Sequence, residues 1–365
     1  MSTRRVSAIV LAAGEGTRMR SDRPKPLHVV CGRPMVMHVL HALVGLPMDR
    51  TVVVVGKSAE RVTKKVQEQA PPELHVTFVE QRVQRGTGDA VIVGLTAFEH
   101  DDVDDTSTVL VLPGDTPLLR PETLTALVGA HESEGNAATV LSARLADPTG
   151  YGRLVRGRDR RVRRIVEHGD ATDEERAVDE VNTSIYCFRR DLLGPALRRL
   201  SPVNAQGEYY LTDVVAVLAE AGYPVGAVEA ADATETQGVN DRAQLADAEA
   251  ELRARTNRRW LMAGVTMLDP AQTFIDVTVE LGRDVTLYPG TILQGRTVVG
   301  NGCDVGPDAR LVDCVVGTGS VVENCVARDS EIGDHAHVGP YAALPPGSVV
   351  ASGERTGPFY TPGTS

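Results

Sequence analysis

The last third of the chain carries a six-residue repeat, and this repeat restricts the possible folds more than any other feature. Aliphatic residues recur at six-residue intervals in segments such as VTLYPG, TILQGR and TVVGNG. One aliphatic in every six residues, with small residues nearby, is typical of a hexapeptide β-helix, in which each strand turns that aliphatic inward. The repeat predicts a β-helix core made of the following residues: Leu287, Leu293, Val299, Val305, Leu311, Val316, Val322, Ile332, Val338 and Leu344.

The cysteines add a constraint on chemistry and compartment. The chain has five, an odd number without any CxxC pair, and this usage fits a reducing cytoplasm. Three of them, Cys303, Cys314 and Cys325, are spaced by eleven residues, a pattern that also suggests a metal site. We favour buried packing, because these positions of the hexads require small residues and free cysteine packs as a small hydrophobe.

A long helix is predicted immediately before the repeat. Residues 241–262 are rich in Ala, Leu, Glu and Arg and contain no proline or glycine. Such a composition favours one uninterrupted helix of five to six turns. We expect it to connect two domains.

The first part of the chain alternates strand-like and helix-like segments. Predicted strands are 6–11, 51–55, 75–79, 108–112, 137–143, 181–188 and 225–228, and predicted helices include 36–46, 59–69, 88–98 and 122–131. This alternation indicates an α/β domain with a mostly parallel sheet. Ligands of such sheets bind at the carboxyl ends of the strands, and both the loop after Leu11 and the segment Pro113–Gly114–Asp115 follow strands.

The stretch IVLAAGEGTRMR at residues 9–20 suggests a phosphate-binding loop, because its small residues leave backbone N–H groups accessible to an anion. A dinucleotide fingerprint beginning at Gly14 would need a third glycine where Met19 stands, and the loop lacks the lysine of a P-loop. Its cations are instead Arg18 and Lys25, the latter between two prolines. They suit a polyphosphate, although an ordinary surface turn with two cations fits this stretch as well.

Length and charge exclude several classes of protein. A chain of 365 residues is long enough for two domains, and its net charge of −11 argues against nucleic acid as a partner. No signal peptide and no stretch of eighteen apolar residues is present, so we expect neither export nor a membrane partner. An anionic substrate must then be held by a few local cations or by a metal.

Several motifs together resemble one family. They are LAAGEGTRMRSDRPKPLH, QRGTGDA, DPTGYGRLVR, RIVEHGDAT, VNTSIYCF, NAQGEYYLTD and GVNDRAQL. The chain resembles the bifunctional N-acetylglucosamine-1-phosphate uridyltransferase/glucosamine-1-phosphate acetyltransferases of the GlmU type over residues 5 to about 340. The resemblance implies a Rossmann-like nucleotidyltransferase domain over 1–236, a connecting helix over 237–264, a short left-handed β-helix over 265–350 and a tail over 351–365.

The same resemblance implies further properties of the β-helix. With three hexads in each coil, the roughly eleven hexads of this chain predict fewer than four coils. Related β-helices associate side by side, so a homotrimer is expected.

The implied reaction joins UTP and N-acetylglucosamine-1-phosphate into UDP-N-acetylglucosamine and releases pyrophosphate. Such a transfer needs mainly positioning and charge neutralisation from the protein. By resemblance, Arg18, Lys25 and Asp115 are the catalytic residues. The nucleotide-binding residues are Leu11, Ala12, Ala13, Gly14, Gln81, Gly86 and Thr87. The amide of a glutamine offers both a donor and an acceptor to the imide edge of uracil.

The resemblance also implies a magnesium site and a sugar site. Asp115 and Asn240 would hold Mg²⁺, which commonly uses one or two protein oxygens together with substrate phosphates. Asn240 alternatively serves only as the N-cap of the following helix. Gly152, Glu167 and Asn182 would bind the N-acetylglucosamine, while the segment NAQGEYYLTD receives no atomic role.

Two alternatives remain open. The same phosphate machinery would serve another sugar-1-phosphate or another nucleotide. The second alternative is a non-catalytic nucleotide-sugar-binding subunit, although such a subunit would not need the complete set of Arg18, Lys25, Asp115 and Asn240.

The end of the chain departs from the family. Where the family has an LRPG-like segment whose arginine binds the sugar phosphate of the acetyl acceptor, this chain has Leu344-Pro345-Pro346-Gly347. Proline carries neither charge nor N–H donor, and no histidine follows residue 347 to act as general base. We therefore expect no acetyltransferase activity and a loose tail after the last hexad.

Overall fold

The structure is a computed structural model that describes residues 6–98 and 107–362. Its contacts divide the chain into two units. The first comprises the described residues up to His28 together with Pro34–Leu245, and the second comprises Val29–Arg33 with the described residues from Ala246 onward.

The first unit is built from strands and helices that largely alternate. Its strands are β1 Val6–Ala12, β4 Met48–Val55, β5 Val76–Glu80, β6 Thr108–Pro113, β7 Ala138–Arg144, β8 Arg153–Arg156, β9 Val162–Val166, β10 Glu180–Arg189 and β11 Val225–Glu229 (β2 Val29–Val30 belongs to the second unit, and β3 Arg33–Pro34 begins in it). Its helices are α1 Met35–Ala42, α2 Ala59–Gln69, α3 Thr87–Leu95, α4 Pro121–Ser133, α5 Asp173–Arg176, α6 Arg190–Leu197 and α7 Asp213–Glu220.

The main sheet has the strand order β11-β7-β10-β6-β1-β4-β5 and is mostly parallel, as predicted. Neighbouring strands from β6 to β5 all run in the same direction. Strand β10 is antiparallel to both β6 and β7, and the hairpin β8–β9 pairs with β10 through Val181 and Arg153. The carboxyl ends of β1 and β6 therefore lie side by side, where the two predicted loops begin.

Helices cover both faces of this sheet. Successive residues of a strand point to opposite faces, so Val10 joins the core formed with α1, α2 and α4, whereas Ile9 joins the core formed with α3, α6 and α7. Both residues are fully buried. A strand buried on both faces must be apolar throughout, which explains the continuous apolar run of β1.

Two local predictions were incomplete. The helix predicted over 36–46 ends at Ala42, because Gly45 has a φ of 99° and the following Pro47 disfavours helical backbone at residue 46. The hairpin β8–β9 was not predicted. Its sequence is rich in arginine, and these charges obscure the alternation that identifies a strand.

A single helix, α8, spans Arg242–Met262 and confirms the predicted helix within one residue. Its first turn is capped by Asp241, whose side-chain carboxylate accepts a hydrogen bond of 2.9 Å from the backbone N–H of Gln244. This cap fixes where the helix begins.

The second unit contains three parallel sheets made of very short strands. In chain order they are β12 Thr266–Met267, β13 Phe274–Ile275, β14 Glu280–Leu281, β15 Thr286–Leu287, β16 Ile292–Gln294, β17 Val298–Val299, β18 Asp304–Val305, β19 Arg310–Val312, β20 Val315–Val316, β21 Val321–Val322, β22 Val326–Arg328, β23 Glu331–Ile332, β24 His337–Val338, β25 Ala343–Leu344 and β26 Val349–Val350. Each strand pairs with the strand that comes three places later in the chain, for example β12 with β15, and this is the arrangement of a β-helix.

The predicted aliphatic core of the β-helix is confirmed. All ten aliphatic residues named from the hexads are at most 2% exposed. Ala327 fills the place between Val322 and Ile332 where the sequence pattern slips, and it is fully buried. The three evenly spaced cysteines are also fully buried, and burial raises the pKa of the Cys325 thiol to about 12.

The expected number of coils was wrong, because each of the three sheets contains five strands. The first coil begins at Thr266, before any clear hexad, and was not counted. Later coils are one or two residues shorter than three full hexads, because some of their corners lack one residue. At these corners Asp313, Asn324 and Asp329 adopt left-handed backbone with φ of 54°, 44° and 43°, a conformation that Asp and Asn tolerate well.

Residues 351–362, the part of the predicted tail that lies within the described residues, contact the last coil of the β-helix. Arg355 forms a parallel bridge with His337, and the N–H of Ala343 donates a 2.8 Å hydrogen bond to the carbonyl of Tyr360. Tyr360 also packs against the β-helix core. Backbone N–H and C=O groups of the last coil have no further coil to pair with, and these residues supply hydrogen-bond partners for some of them.

Candidate active site

One cavity of about 550 Å³ opens in the first unit at the carboxyl ends of β1 and β6. All fourteen site residues expected from the sequence line it. They are Leu11, Ala12, Ala13, Gly14, Arg18, Lys25, Gln81, Gly86, Thr87, Asp115, Gly152, Glu167, Asn182 and Asn240. Residues separated by more than two hundred positions in sequence therefore surround one space.

The glycine-rich loop is held against Lys25. Gly16 has a φ of 64°, and a Cβ on it would lie 2.5 Å from the Cβ of Lys25, so only glycine fits both the backbone and the space. Lys25 opens a short 3-10 turn whose preceding residue, Pro24, has a φ of −53°. The backbone on each side of the lysine is thus restrained, and its ammonium group has a defined place beside the loop.

Two cations and two oxygen-bearing side chains form a connected cluster. The Nζ of Lys25 donates hydrogen bonds to Asp115 Oδ2 and, at 3.0 Å, to Asn240 Oδ1. Arg18 donates a second 3.0 Å hydrogen bond to the same Asn240 oxygen. The backbone brings the acceptors together, because the N–H of Val239 donates to the carbonyl of Asp115 at 2.9 Å.

The side chain of Asn240 does not cap α8. Asp241 performs that role, as described above, and the Asn240 oxygen faces the two cations instead. The alternative in which Asn240 is only a helix cap is therefore wrong. Its backbone N–H is also fixed, by a 2.7 Å hydrogen bond to Gln244 Oε1.

The donor set at Asp115 and Asn240 fits a magnesium ion. One carboxylate oxygen and one amide oxygen both lie within hydrogen-bond distance of the same Lys25 nitrogen, so they converge on one place. Within the part of the chain that the structure describes, no group of three or more His, Cys, Asp or Glu side chains is placed to hold a metal. A hard cation with few protein ligands, completed by phosphate oxygens and water, matches this site.

The expected base-reading residues lie at the end of β5 and the start of α3. Gln81 is 4% exposed, and its Nε2 donates to Asp89 Oδ2 at 2.7 Å and to the Gly86 carbonyl at 3.3 Å. Gly86 has a φ of 109°, which requires glycine at this turn. The hydroxyl of Thr87 accepts a 3.0 Å hydrogen bond from the N–H of Leu211, so part of its role is to hold the loop.

The three expected sugar-binding residues are neighbours. A Cβ on Gly152 would lie 3.4 Å from Glu167 Oε2 and 3.5 Å from the Cβ of Asn182. The Nδ2 of Asn182 donates to the hydroxyl of Tyr186 at 2.8 Å, and its Oδ1 accepts from the N–H of Ser184 at 3.2 Å. These partners fix the orientation of the Asn182 amide at the wall of the cavity.

The Glu167 carboxyl is electrostatically unusual. Burial raises its pKa above the ordinary value, and the hydrogen bond from Thr212 acts in the opposite direction. The negative charges of Asp213 and Asp170 raise the pKa further. The Thr212 hydroxyl, 3.1 Å from Glu167 Oε1, is therefore the group that favours the carboxylate form.

The NAQGEYYLTD segment connects the two ends of the cavity. The N–H of Tyr209 donates to the carbonyl of Arg85, and its own carbonyl accepts from the N–H of Gly88, both at 2.8 Å. Three residues later, Thr212 reaches Glu167. One short stretch of backbone thus contacts both the loop that is expected to bind the base and the carboxylate that is expected to bind the sugar.

Comparison with known proteins identifies the family. The MobA-like NTP transferase domain family matches residues 8–200. The bifunctional protein GlmU of Thermobifida fusca is 52% identical over 334 residues, which cover 91% of this chain and 68% of the relative. Its namesakes from Streptomyces avermitilis and Geobacillus sp. WCH70 are 48% and 43% identical over 98% and 96% of this chain, covering 73% and 74% of the relatives.

The chain belongs to the GlmU family. The resemblance expected from the motifs is thereby confirmed, and the chain is a sugar-1-phosphate nucleotidyltransferase of this family. Within residues 6–98 and 107–362, no helix has both the length and the apolar character needed to cross a membrane.

Several residues of this GlmU-type site were not assigned from the sequence. Asp89 and Thr212 each bind a predicted site residue, and Gln84 Nε2 donates to the carbonyl of Ala13 in the glycine-rich loop. Asp89 and Thr212 lie inside motifs that carried the family resemblance. The motifs thus marked the segments, but only the folded structure shows which side chains they contact.

Proposed function

We propose that this GlmU-family chain catalyses the Mg²⁺-dependent formation of UDP-N-acetylglucosamine and pyrophosphate from UTP and N-acetylglucosamine-1-phosphate. The observation that carries the proposal is the convergence of the phosphate loop, the cation cluster, Gln81 and Glu167 on one cavity. These groups match, in order, a triphosphate, a metal-bound phosphate, an imide edge and a hydroxyl-rich sugar.

In the proposed reaction, an oxygen of the sugar-1-phosphate attacks the α-phosphorus of UTP. A bond forms between these atoms while the bond from the α-phosphorus to the bridging oxygen of the β-phosphate breaks, and that electron pair leaves with pyrophosphate. No proton transfer to a protein base is needed, because the attacking phosphate oxygen is already an anion. The demands on the protein are orientation and stabilisation of charge.

Each part of the cavity meets one of these demands. Backbone N–H groups of residues 11–14 contact the nucleotide phosphates, while Arg18 and Lys25 neutralise the charge that develops on pyrophosphate. Asp115 and Asn240 would hold Mg²⁺, which would neutralise charge on the phosphate oxygens of UTP and so favour attack on its α-phosphorus. Glu167, as a carboxylate, accepts hydrogen bonds from sugar hydroxyls.

The proposal extends to assembly and compartment. Val298 and Val315 are in register on the outer side of one β-helix sheet and are 38% and 50% exposed, and Val349 of the same sheet, 66% exposed, follows one strand later, beyond Glu331. We propose that these exposed valines contribute to a homotrimer interface, because a monomer would leave them in water. The five free cysteines support a reducing compartment such as the cytoplasm.

We also propose that this chain lacks acetyltransferase activity. The supporting observation is Pro345, which stands directly after β25 where the family resemblance implies an arginine for the acceptor's phosphate. A proline at this position offers no charge to the phosphate.

A pyrophosphate-release assay tests the main proposal. The four nucleoside triphosphates are combined with N-acetylglucosamine-1-phosphate, glucosamine-1-phosphate and glucose-1-phosphate, with and without Mg²⁺. UTP with N-acetylglucosamine-1-phosphate should be the best pair. Lys25→Met should abolish most turnover, while Lys64→Met, which removes an exposed lysine of α2, should not.

Each other outcome supports one of the alternatives. Preference for another pair would show a different sugar or nucleotide specificity. Binding without pyrophosphate release would show a non-catalytic nucleotide-sugar-binding subunit.

A further inference from the structure

The side-chain amide of Gln81 is held in one orientation. Gln81 follows β5, its backbone N–H donates to the carbonyl of Val55 at 2.8 Å, and its side chain lies at the wall of the cavity. An amide has a donating and an accepting end of nearly equal shape, so its hydrogen-bond partners decide which end faces a ligand.

The partners of Gln81 are both acceptors only. Its Nε2 lies 2.7 Å from the carboxylate oxygen Oδ2 of Asp89 and 3.3 Å from the carbonyl oxygen of Gly86. A 180° flip would place Oε1 against these two oxygens and lose both hydrogen bonds. Oε1 accepts no hydrogen bond from the residues that the structure describes, and it is not sealed from the cavity.

Asp89 is well placed for a fixed negative charge. It is the third residue of α3, in the first turn, where the helix macrodipole favours an anion. An ionised carboxylate is an acceptor without a donor, and it makes stronger hydrogen bonds than a neutral amide does. The orientation of Gln81 therefore depends on Asp89 more than on Gly86.

We propose that Asp89 is a positioning residue that turns the Gln81 oxygen toward the base and thereby selects uracil against cytosine. This inference rests on the proposed function. Uracil carries a hydrogen on N3 that can donate to Gln81 Oε1, whereas N3 of cytosine is an acceptor and would face that oxygen without a proton. Asp89 thus determines nucleotide specificity without touching the substrate.

The first test replaces Asp89 with asparagine. An asparagine can present either an acceptor or a donor to Gln81, so the flipped amide becomes accessible. The ratio of kcat/KM for UTP to that for CTP should fall about tenfold, because a charge-assisted hydrogen bond is replaced by a neutral one. Glu122→Gln removes a carboxylate from the first turn of α4 and should leave the ratio unchanged.

The outcomes separate this inference from the proposed function. If the unchanged protein does not prefer UTP over CTP, the uracil assignment itself fails. If it does prefer UTP and Asp89→Asn keeps the full preference, the role of Asp89 is wrong while the proposed function stands.

A rescue experiment gives a second readout. Gln81→Glu places two carboxylates in contact and should greatly reduce the use of UTP. Adding Asp89→Asn supplies a donor to the new carboxylate, whose other oxygen can still accept from N3 of uracil. The double variant should recover at least about tenfold in kcat/KM over Gln81→Glu alone. A double variant no better than the single one would overturn the inference.

A measurement on the unchanged protein covers the case in which the variants do not fold. The Gln81 side-chain amide protons should exchange slowly with solvent in ¹⁵N-detected spectra, because both are donated to protein acceptors. Their assignment follows from through-bond and through-space signals within the unchanged protein, so it needs no variant. Exchange as fast as that of exposed glutamines would refute the fixed orientation.

Discussion

Replacing Thr212 with valine removes one hydroxyl from the sugar side of the cavity and little else. Thr212 is 4% exposed, and its hydroxyl donates to Glu167 Oε1 at 3.1 Å. It stands at the N-cap of α7 but makes no capping hydrogen bond, so the substitution costs the helix no cap. The effect should therefore appear at Glu167 and not in the fold.

The magnitude follows from the hydrogen bond. A hydrogen bond to a charged acceptor contributes about 1.5–3 kcal/mol, and a free-energy change of this size alters an equilibrium constant roughly tenfold to 150-fold. In Thr212→Val the carboxylate form of Glu167 loses this contribution, so a pKa already raised by burial rises further. Protonated Glu167 accepts sugar hydroxyls less well, and the loss should be largest on the acid side of the pH profile.

The assay is KM for each substrate as a function of pH. For Thr212→Val, KM for N-acetylglucosamine-1-phosphate should rise most at low pH, the acid limb of kcat/KM should move to higher pH, and KM for UTP should stay constant. Thr212→Ser keeps the hydroxyl and should behave like the unchanged protein. An unmoved pH profile, or equal changes in both KM values, would refute the assigned role of Thr212.

Three further predictions follow from the site and the β-helix. Asp115→Asn should lower kcat, measured by pyrophosphate release, by about a hundredfold or more, because a charge-stabilising group acts mainly on the chemical step. The affinity for the sugar phosphate, measured by calorimetry, should change little, and near-normal turnover would contradict the metal assignment. Light scattering at micromolar concentration should show a trimer, and Val315→Glu should dissociate it, whereas a monomer before substitution would remove the proposed interface. Incubation with glucosamine-1-phosphate and acetyl-coenzyme A should release no thiol above background, and steady release would overturn the proposed absence of acetyl transfer.

The sequence predicted the parts of the fold that depend on periodicity. Leu287 and Val305 follow the inward-facing rule of the β-helix, and helix α8 has the composition of an uninterrupted helix. The number of coils could not be counted, because a corner closed by Asp313 or Asn324 shortens the repeat without weakening the inward strand on either side. A regular period is thus a sufficient sign of a coil but not a necessary one.

The candidate site shows a similar division. Family motifs named residues that the folded chain brings to one cavity, such as Lys25 and Asn240, which are 215 positions apart. The motifs did not indicate that Asp89 holds Gln81 or that Thr212 holds Glu167. Such contacts depend on how a helix start and a loop meet in space, and no local pattern of residue types encodes that meeting.

A competition experiment tests the central claim most directly. The protein is incubated with Mg²⁺, equal concentrations of ATP, GTP, CTP and UTP, and equal concentrations of several sugar-1-phosphates including N-acetylglucosamine-1-phosphate. Mass spectrometry then identifies the nucleotide sugars, whose initial ratios report the relative kcat/KM values for the competing substrates. We predict UDP-N-acetylglucosamine as the dominant product. A different dominant nucleotide sugar, or none, would contradict the function proposed for this cavity.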